Sequence, residues 1–329
     1  MCLLCFCEPF SLLTHAHASF LFSQYTSGKD DGTVIVTLKI QHKKVLGIQG
    51  TKFGVRTVTV PPDIEQIGSC AFQCCRDLTS LTLPTTLTSI NYLAFQSCSR
   101  LTSLSLPDSV TSIGPLAFHS CSALASLILS NALTTIDSGA FEGCCGITSL
   151  ALPTTLTSLG KRAFYGCKGF SSIALPTKLT SVGDLAFQEC TGLTSLVIPE
   201  PLTTIGHSVF AKCSAINSLA LPNTLTKVAC YAFANCTSLT SLSLPHALTN
   251  VGKYAFKGCT SLTSVVFRPS MSKGAFITWA VGSSRNRTNW QLTTLKQSRN
   301  VLRLITEFSL AGRDVATVDP DGEKGMFKK

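Results

Sequence analysis

A phenylalanine returns every 23 residues, at 72, 95, 118, 141, 164, 187, 210, 233 and 256, with no slip in the step. A cysteine follows each one by three residues, from Cys75 to Cys259. Proline marks the same cycle at 61, 84, 107, 153, 176, 199, 222 and 245, with Ser130 as the exception. An unbroken period of this length means a stack of like units. A 23-residue unit cannot bury its own apolar face, so it gains a core only against its neighbours.

The unit Leu78 to Arg100 shows the internal pattern. Leu81-Thr82-Leu83 alternates as a strand does, and Pro84 closes it because proline has no N–H for a ladder. Leu87 and Ile90 mark a second short extended piece. Next comes a column of mostly glycine: 68, 114, 160, 183, 206 and 252, with Asn91 and Asp137 as substitutes. Those residue types suit positive φ, so the column is expected to hold left-handed turn residues. Ala229 breaks that rule, and strain or an altered turn is expected there. Ala94-Phe95 to Cys98 reads as a short helical turn leading to the next strand.

Charged residues are only 13% of the chain, about half the usual share. The basic balance is unevenly placed: ten Lys/Arg face nine Asp/Glu between Pro61 and Phe267, against eleven and five from Arg268 to Lys329. Near-neutral repeats argue against nucleic-acid binding on the stack. No apolar run is long enough to span a bilayer. The N-terminus lacks a basic residue before its Leu/Cys run and is broken by Glu8-Pro9, which favours a cytoplasmic over a secreted location.

The run carried by Leu101, Leu104, Leu106, Pro107, Ile113, Gly114, Ala117, Phe118 and Cys121 resembles the BspA-like class of leucine-rich repeats. The resemblance covers Val55 to Phe267. It implies an α/β repeat solenoid: a right-handed coil with a parallel β-sheet and short helical turns. It also implies binding or adhesion roles, with no shared active site to carry over. The basic, Trp-containing tail resembles a segment that follows such repeats in stramenopile algal proteins.

Four regions follow from this pattern. Residues 1–28 are expected to be a flexible N-terminal segment and 29–54 a β-hairpin cap built from Thr33–Ile40 and Val45–Ile48. Residues 55–268 form the solenoid of nine repeats, and 269–329 a helical C-terminal cap and basic tail. In that tail Phe276–Val281 and about 290–308 read as helices. Lys296, Arg299 and Arg303 on the second could touch an acidic membrane or partner.

Candidate chemistry is sparse. The nine repeat cysteines are expected to point inward as free, apolar thiols. Cys2, Cys5 and Cys7 with His15 and His17 match no zinc-finger spacing well, and lipid attachment is the other use for those cysteines. No phosphate-cradling loop or nucleophile elbow occurs, so the chain reads as a non-enzyme with no cofactor. Asn235 and Asn286 stand in glycosylation triplets, Asn235 beside a core cysteine where a sugar would clash.

A partner is expected on the sheet surface. The residue between the inward leucines of each strand must point out, giving Thr82, Ser105, Ile128, Ala151, Ala174, Val197, Ala220, Ser243 and Val266. Its apolar middle, Ile128, Ala151, Ala174, Val197 and Ala220, is the candidate contact strip for a protein partner of a monomeric scaffold. Cell-surface adhesion or glycan binding is the alternative. Serine fills 80, 103, 126, 149, 172, 195, 218, 241 and 264, and threonine 88, 111, 134, 157, 180, 203, 226 and 249. Hydroxyl ladders between coils account for such columns; an ice-binding threonine array is a minor alternative.

Overall fold

The structure, a computed structural model, describes residues 23–27, 36–49 and 52–266. The expected C-terminal helices, the membrane-contact residues Lys296, Arg299 and Arg303, the N-terminal Cys/His cluster and Asn286 lie outside them. The described chain is a parallel-strand β-solenoid of about nine coils, each of 23 residues.

Each coil has three sides, and each side hands its main-chain hydrogen bonds to the neighbouring coil. The first is a three-residue strand such as Ser103–Ser105. It pairs in register with Ser126–Ile128, so Leu104 lies beside Leu127 and Ser105 beside Ile128. The second is a two-residue strand, such as Ser112–Ile113, paired with Ser89–Ile90 and Thr135–Ile136. Between them, the proline carbonyl closes a tight turn, as in Val110 N–H to Pro107 O at 3.0 Å. Ser130 does the same for Leu133 at 3.2 Å, and its buried hydroxyl also accepts from the Ala132 N–H at 3.1 Å. Serine therefore replaces proline without altering the turn.

The third side corrects the expected helical turns. It contains no helix, because alternate N–H groups leave the coil. Leu93, Phe95 and Ser97 donate to Pro115, Ala117 and His119 of the next coil, at 3.1, 2.7 and 2.8 Å. Ala94, Gln96 and Cys98 instead close turns onto residues three back. A helix needs every N–H directed along one axis, and here every second one points sideways.

Positive φ also falls elsewhere than expected. It occurs two and six residues after the glycine column: at Cys70 and Cys74, Leu93 and Ser97, Leu116 and Ser120, and so on to Tyr254 and Gly258. The glycine column itself, Asn91, Asp137 and Ala229 are absent from that set. Glycine is favoured there by the close approach of the preceding coil, since a Cβ on Gly160 would lie 2.5 Å from the Ser138 nitrogen. Ala229 keeps the ordinary bond, donating to Ile205 O at 2.8 Å as Gly183 does to Leu159 O. The expected strain there does not take the form of a changed turn.

The core is one continuous cluster running the length of the stack. The phenylalanine rings lie nearly parallel, with centroids 5.1 Å apart for Phe72–Phe95 and 5.5 Å for Phe141–Phe164. Phe170 meets Phe164 edge-on at 5.6 Å. Each column cysteine from Cys98 onward points its thiol at a carbonyl of the preceding coil, as Cys98 Sγ to Phe72 O at 3.2 Å.

At the N-terminal end, Val36–Gln41 and Lys44–Gln49 form the expected hairpin, turned through His42 and Lys43 at positive φ. Lys44–Gln49 pairs in parallel with Gln66–Ile67 and so covers the first coil. Ser23–Ser27 adds an antiparallel strand outside the hairpin, extending the cap into the segment expected to be flexible. The two-residue ladder is interrupted once, between Ser181–Val182 and Thr204–Ile205. Pro201 stands there at a position where Thr86, Ser109 and Thr155 send a hydroxyl to the preceding coil, but Ala132 and Ala247 also have none to send and their ladders stay paired. Asp184 bridges the gap, accepting from the His207 N–H at 2.7 Å.

Candidate functional site

The strip residues project to solvent, as strand alternation requires. Ile128, Ala151, Ala174, Val197 and Ala220 are all exposed, Ile128 at 61% and Val197 at 66%. Each is flanked by inward residues of the core: Leu127 and Leu129 around Ile128, Leu196 and Ile198 around Val197. The strand pairing sets Ala151 beside Ala174 and Val197 beside Ala220. Between Ala174 and Val197 the ladder is reduced to the pairing Ser172–Ser195, and the strands of Ile128 and Ala151 are not paired with each other. The strip therefore runs across three lightly jointed blocks, about 19 Å over four coil steps at ~4.8 Å each. Thr82, Ser105 and Ser243 continue the column as exposed polar ends.

Beside this row runs the serine column at the start of each strand, exposed from Ser80 to Ser241. Inter-coil hydroxyl bonds fall instead, in several coils, on the residue before the serine. Thr79, Ser171, Thr194 and Thr240 donate to carbonyls of the preceding coil at 3.0 to 3.5 Å. The threonine column behaves alike on the other side: Thr88 to Glu65 O, Thr157 to Thr134 O and Thr226 to Thr203 O. These ladders run from hydroxyl to carbonyl, so the threonines in them spend their protons on the neighbouring coil.

The column cysteines build no reactive centre. All nine of the column are buried and unpaired. Burial pushes the Cys75 and Cys213 thiols up to about 12, and Cys144, Cys167 and Cys190 well above the ordinary thiol range. A thiol held protonated is neither a nucleophile nor a metal ligand. Among the described residues no three His, Cys, Asp or Glu side chains are grouped to hold a metal ion, and no helix is long and apolar enough to cross a membrane. Asn235 is exposed, at a positive-φ corner outside the core, so the expected clash with a core cysteine does not apply to its side chain.

The family model for the BspA type leucine-rich repeat region matches residues 51–170 and 157–277 in six copies, spanning the whole stack. The chain belongs to the BspA-type leucine-rich repeat family. Among solved structures, this BspA-type chain is similar to a leucine-rich repeat protein of T. pallidum. Identity there is 22% over 69% of this chain and 91% of that one, with a TM-score of 0.46. It is also similar to the pneumococcal vaccine antigen PcpA, at 22% identity over 71% of this chain and 67% of that one, TM-score 0.48. A leucine-rich repeat protein of Bacteroides ovatus is 20% identical over 85% of this chain and all of its own, TM-score 0.40. No curated protein matches the chain.

Proposed function

We propose that this BspA-type solenoid is a protein-interaction scaffold that holds its partner along the sheet column Ile128, Ala151, Ala174, Val197 and Ala220. The observation that carries the reading is the exposure of Ile128 and Val197, at 61% and 66%. They are two of only five large apolar or aromatic side chains exposed among the described residues, and they share one column. Isolated apolar side chains on a surface are ordinary, but a row joined by alanines forms a contiguous dry stripe. Alanines between the two bulkier residues leave a shallow seat for a ridge of partner side chains. Flanking serines supply a polar rim, the arrangement in which interface cores are usually set.

The test is Ala174→Arg. Its side chain enters solvent, so the melting temperature should stay within about 2 °C, while partner capture from the native source should fall at least tenfold by quantitative pull-down. Capture equal to wild type would refute the strip.

A further inference from the structure

The turn edge of the stack has a different character from the sheet column. Arg162 lies 4.7 Å from the centroid of the Tyr165 ring. Three coils on, His207 meets Tyr231 edge-on at 5.8 Å, and Tyr231 leans on Tyr254 at 5.2 Å. The ammonium groups of Lys253 and Lys257 lie 4.9 and 5.2 Å from the Tyr254 centroid. Tyr231 and Tyr254 hold φ of 58° and 62°, a conformation that disfavours any side chain. Gly139 occupies the equivalent place in an earlier coil without that penalty.

Charge is sorted along the same axis. No Asp or Glu occurs between Glu200 and Glu307, while Lys212, Lys227, Lys253 and Lys257 fall within the last coils. The last three acids before that stretch are engaged: Asp184 with the His207 N–H at 2.7 Å, Glu189 with Lys212 at 2.7 Å, and Glu200 with the Thr224 hydroxyl at 3.1 Å. The ion pairs of the described residues use Lys43, Arg100, Arg162 and Lys212. Among the described residues, Lys253 and Lys257 have no carboxylate within reach. Two ammonium groups beside a ladder of rings, with no counter-charge among the described residues, favour an external anion.

We propose that this edge of the last three coils binds a linear acidic polysaccharide, bearing carboxylate or sulfate groups and laid along the stack axis. The step of the ring ladder, 5.2 to 5.8 Å, is close to the span of one pyranose ring in an extended chain. The C–H face of a sugar packs on tyrosine while its acid group meets lysine. An extended acidic peptide presents same-side groups about 6.6 to 7 Å apart, out of step with the coils. Duplex nucleic acid carries a charge every ~1.7 Å and needs a denser cation row. A membrane surface needs apolar anchors, and among the described residues none of the exposed large apolar side chains falls in coils after Val197. This site is separate from the sheet column and does not depend on it.

The experiment measures binding of the full chain to alginate and carrageenan, with polyglutamate and phosphatidylserine vesicles as comparators at equal ionic strength. One of the two polysaccharides should bind tighter than either comparator. Lys253→Gln combined with Lys257→Gln should weaken that binding about tenfold. Tyr254→Ser should weaken polysaccharide binding by a similar factor and leave polyglutamate binding unchanged. Polyglutamate or vesicles binding as tightly as the polysaccharides would overturn the proposal, as would a double lysine variant that binds like wild type. Tyr254→Ser binding the polysaccharide at full strength would do so too. Should Tyr254→Ser melt below the assay temperature, the double lysine variant and the comparators decide.

Discussion

At the level of single residues, the stack rests on groups repeated at one address in every coil. Phe164 touches Phe141 and Phe187 in the ring column and Phe170 edge-on, and is wholly buried. Phe164→Ala removes a ring from the middle of that column and should cost about 3–5 kcal/mol, read as a lowered midpoint in thermal or urea unfolding. Gly183→Ala tests the reason for the glycine column. The added Cβ would run into the backbone of Gly160 and Lys161, and the overpacking should cost about 1–3 kcal/mol. The column was visible in the sequence, but its cause was not. Glycine at a turn suggests positive φ, whereas here a neighbouring backbone crowds a coil 23 residues away. Phenylalanine and cysteine were read correctly because their burial depends only on period, while φ depends on where each N–H finds its acceptor.

Among the elements, the turn side carries the same lesson. Ala94 to Cys98 has the composition of a helical turn, yet the N–H groups of Phe95 and Ser97 go to Ala117 and His119. Nothing local to the segment signals that the next coil offers those carbonyls. Strand alternation, by contrast, is local, and so the outward column from Ile128 to Ala220 is legible in the sequence. The tyrosine and lysine edge was missed, though the lack of acids after Glu200 was readable. What concealed it was a charge count taken over the whole repeat region, where the two halves cancel. The junction at Pro201 is also an element-level feature. With the ladder open, the Asp184 carboxylate accepting from the His207 N–H is a side-chain link across it. Asp184→Ala should speed amide exchange in a peptide covering residues 203–210, with a peptide covering 112–119 unchanged by mass spectrometry.

For the molecule as a whole, the buried thiols make a pH-dependent ledger. The folded chain holds the Cys213 and Cys75 protons up to about 12, whereas an ordinary thiol gives its proton up near 9.0. Between those values the unfolded state binds fewer protons than the folded one, so stability falls as pH rises. Each such thiol contributes a slope of about 1.4 kcal/mol per pH unit there. Full stability is present below pH 9 and is lost progressively above it. Melting temperatures under reducing conditions should hold between pH 7 and 8 and drop steeply from 9 to 11, and Cys213→Ala should flatten that drop.

The register of the coils has one more consequence. Because Ser112–Ile113 pairs in the same way with Ser89–Ile90 before it and Thr135–Ile136 after it, every coil offers its neighbours an interchangeable seam. Excising one 23-residue segment would present the flanking seams to each other unaltered. Such a chain is free to grow or shrink by whole turns through duplication and loss, lengthening or trimming its outer surfaces without redesigning the interior.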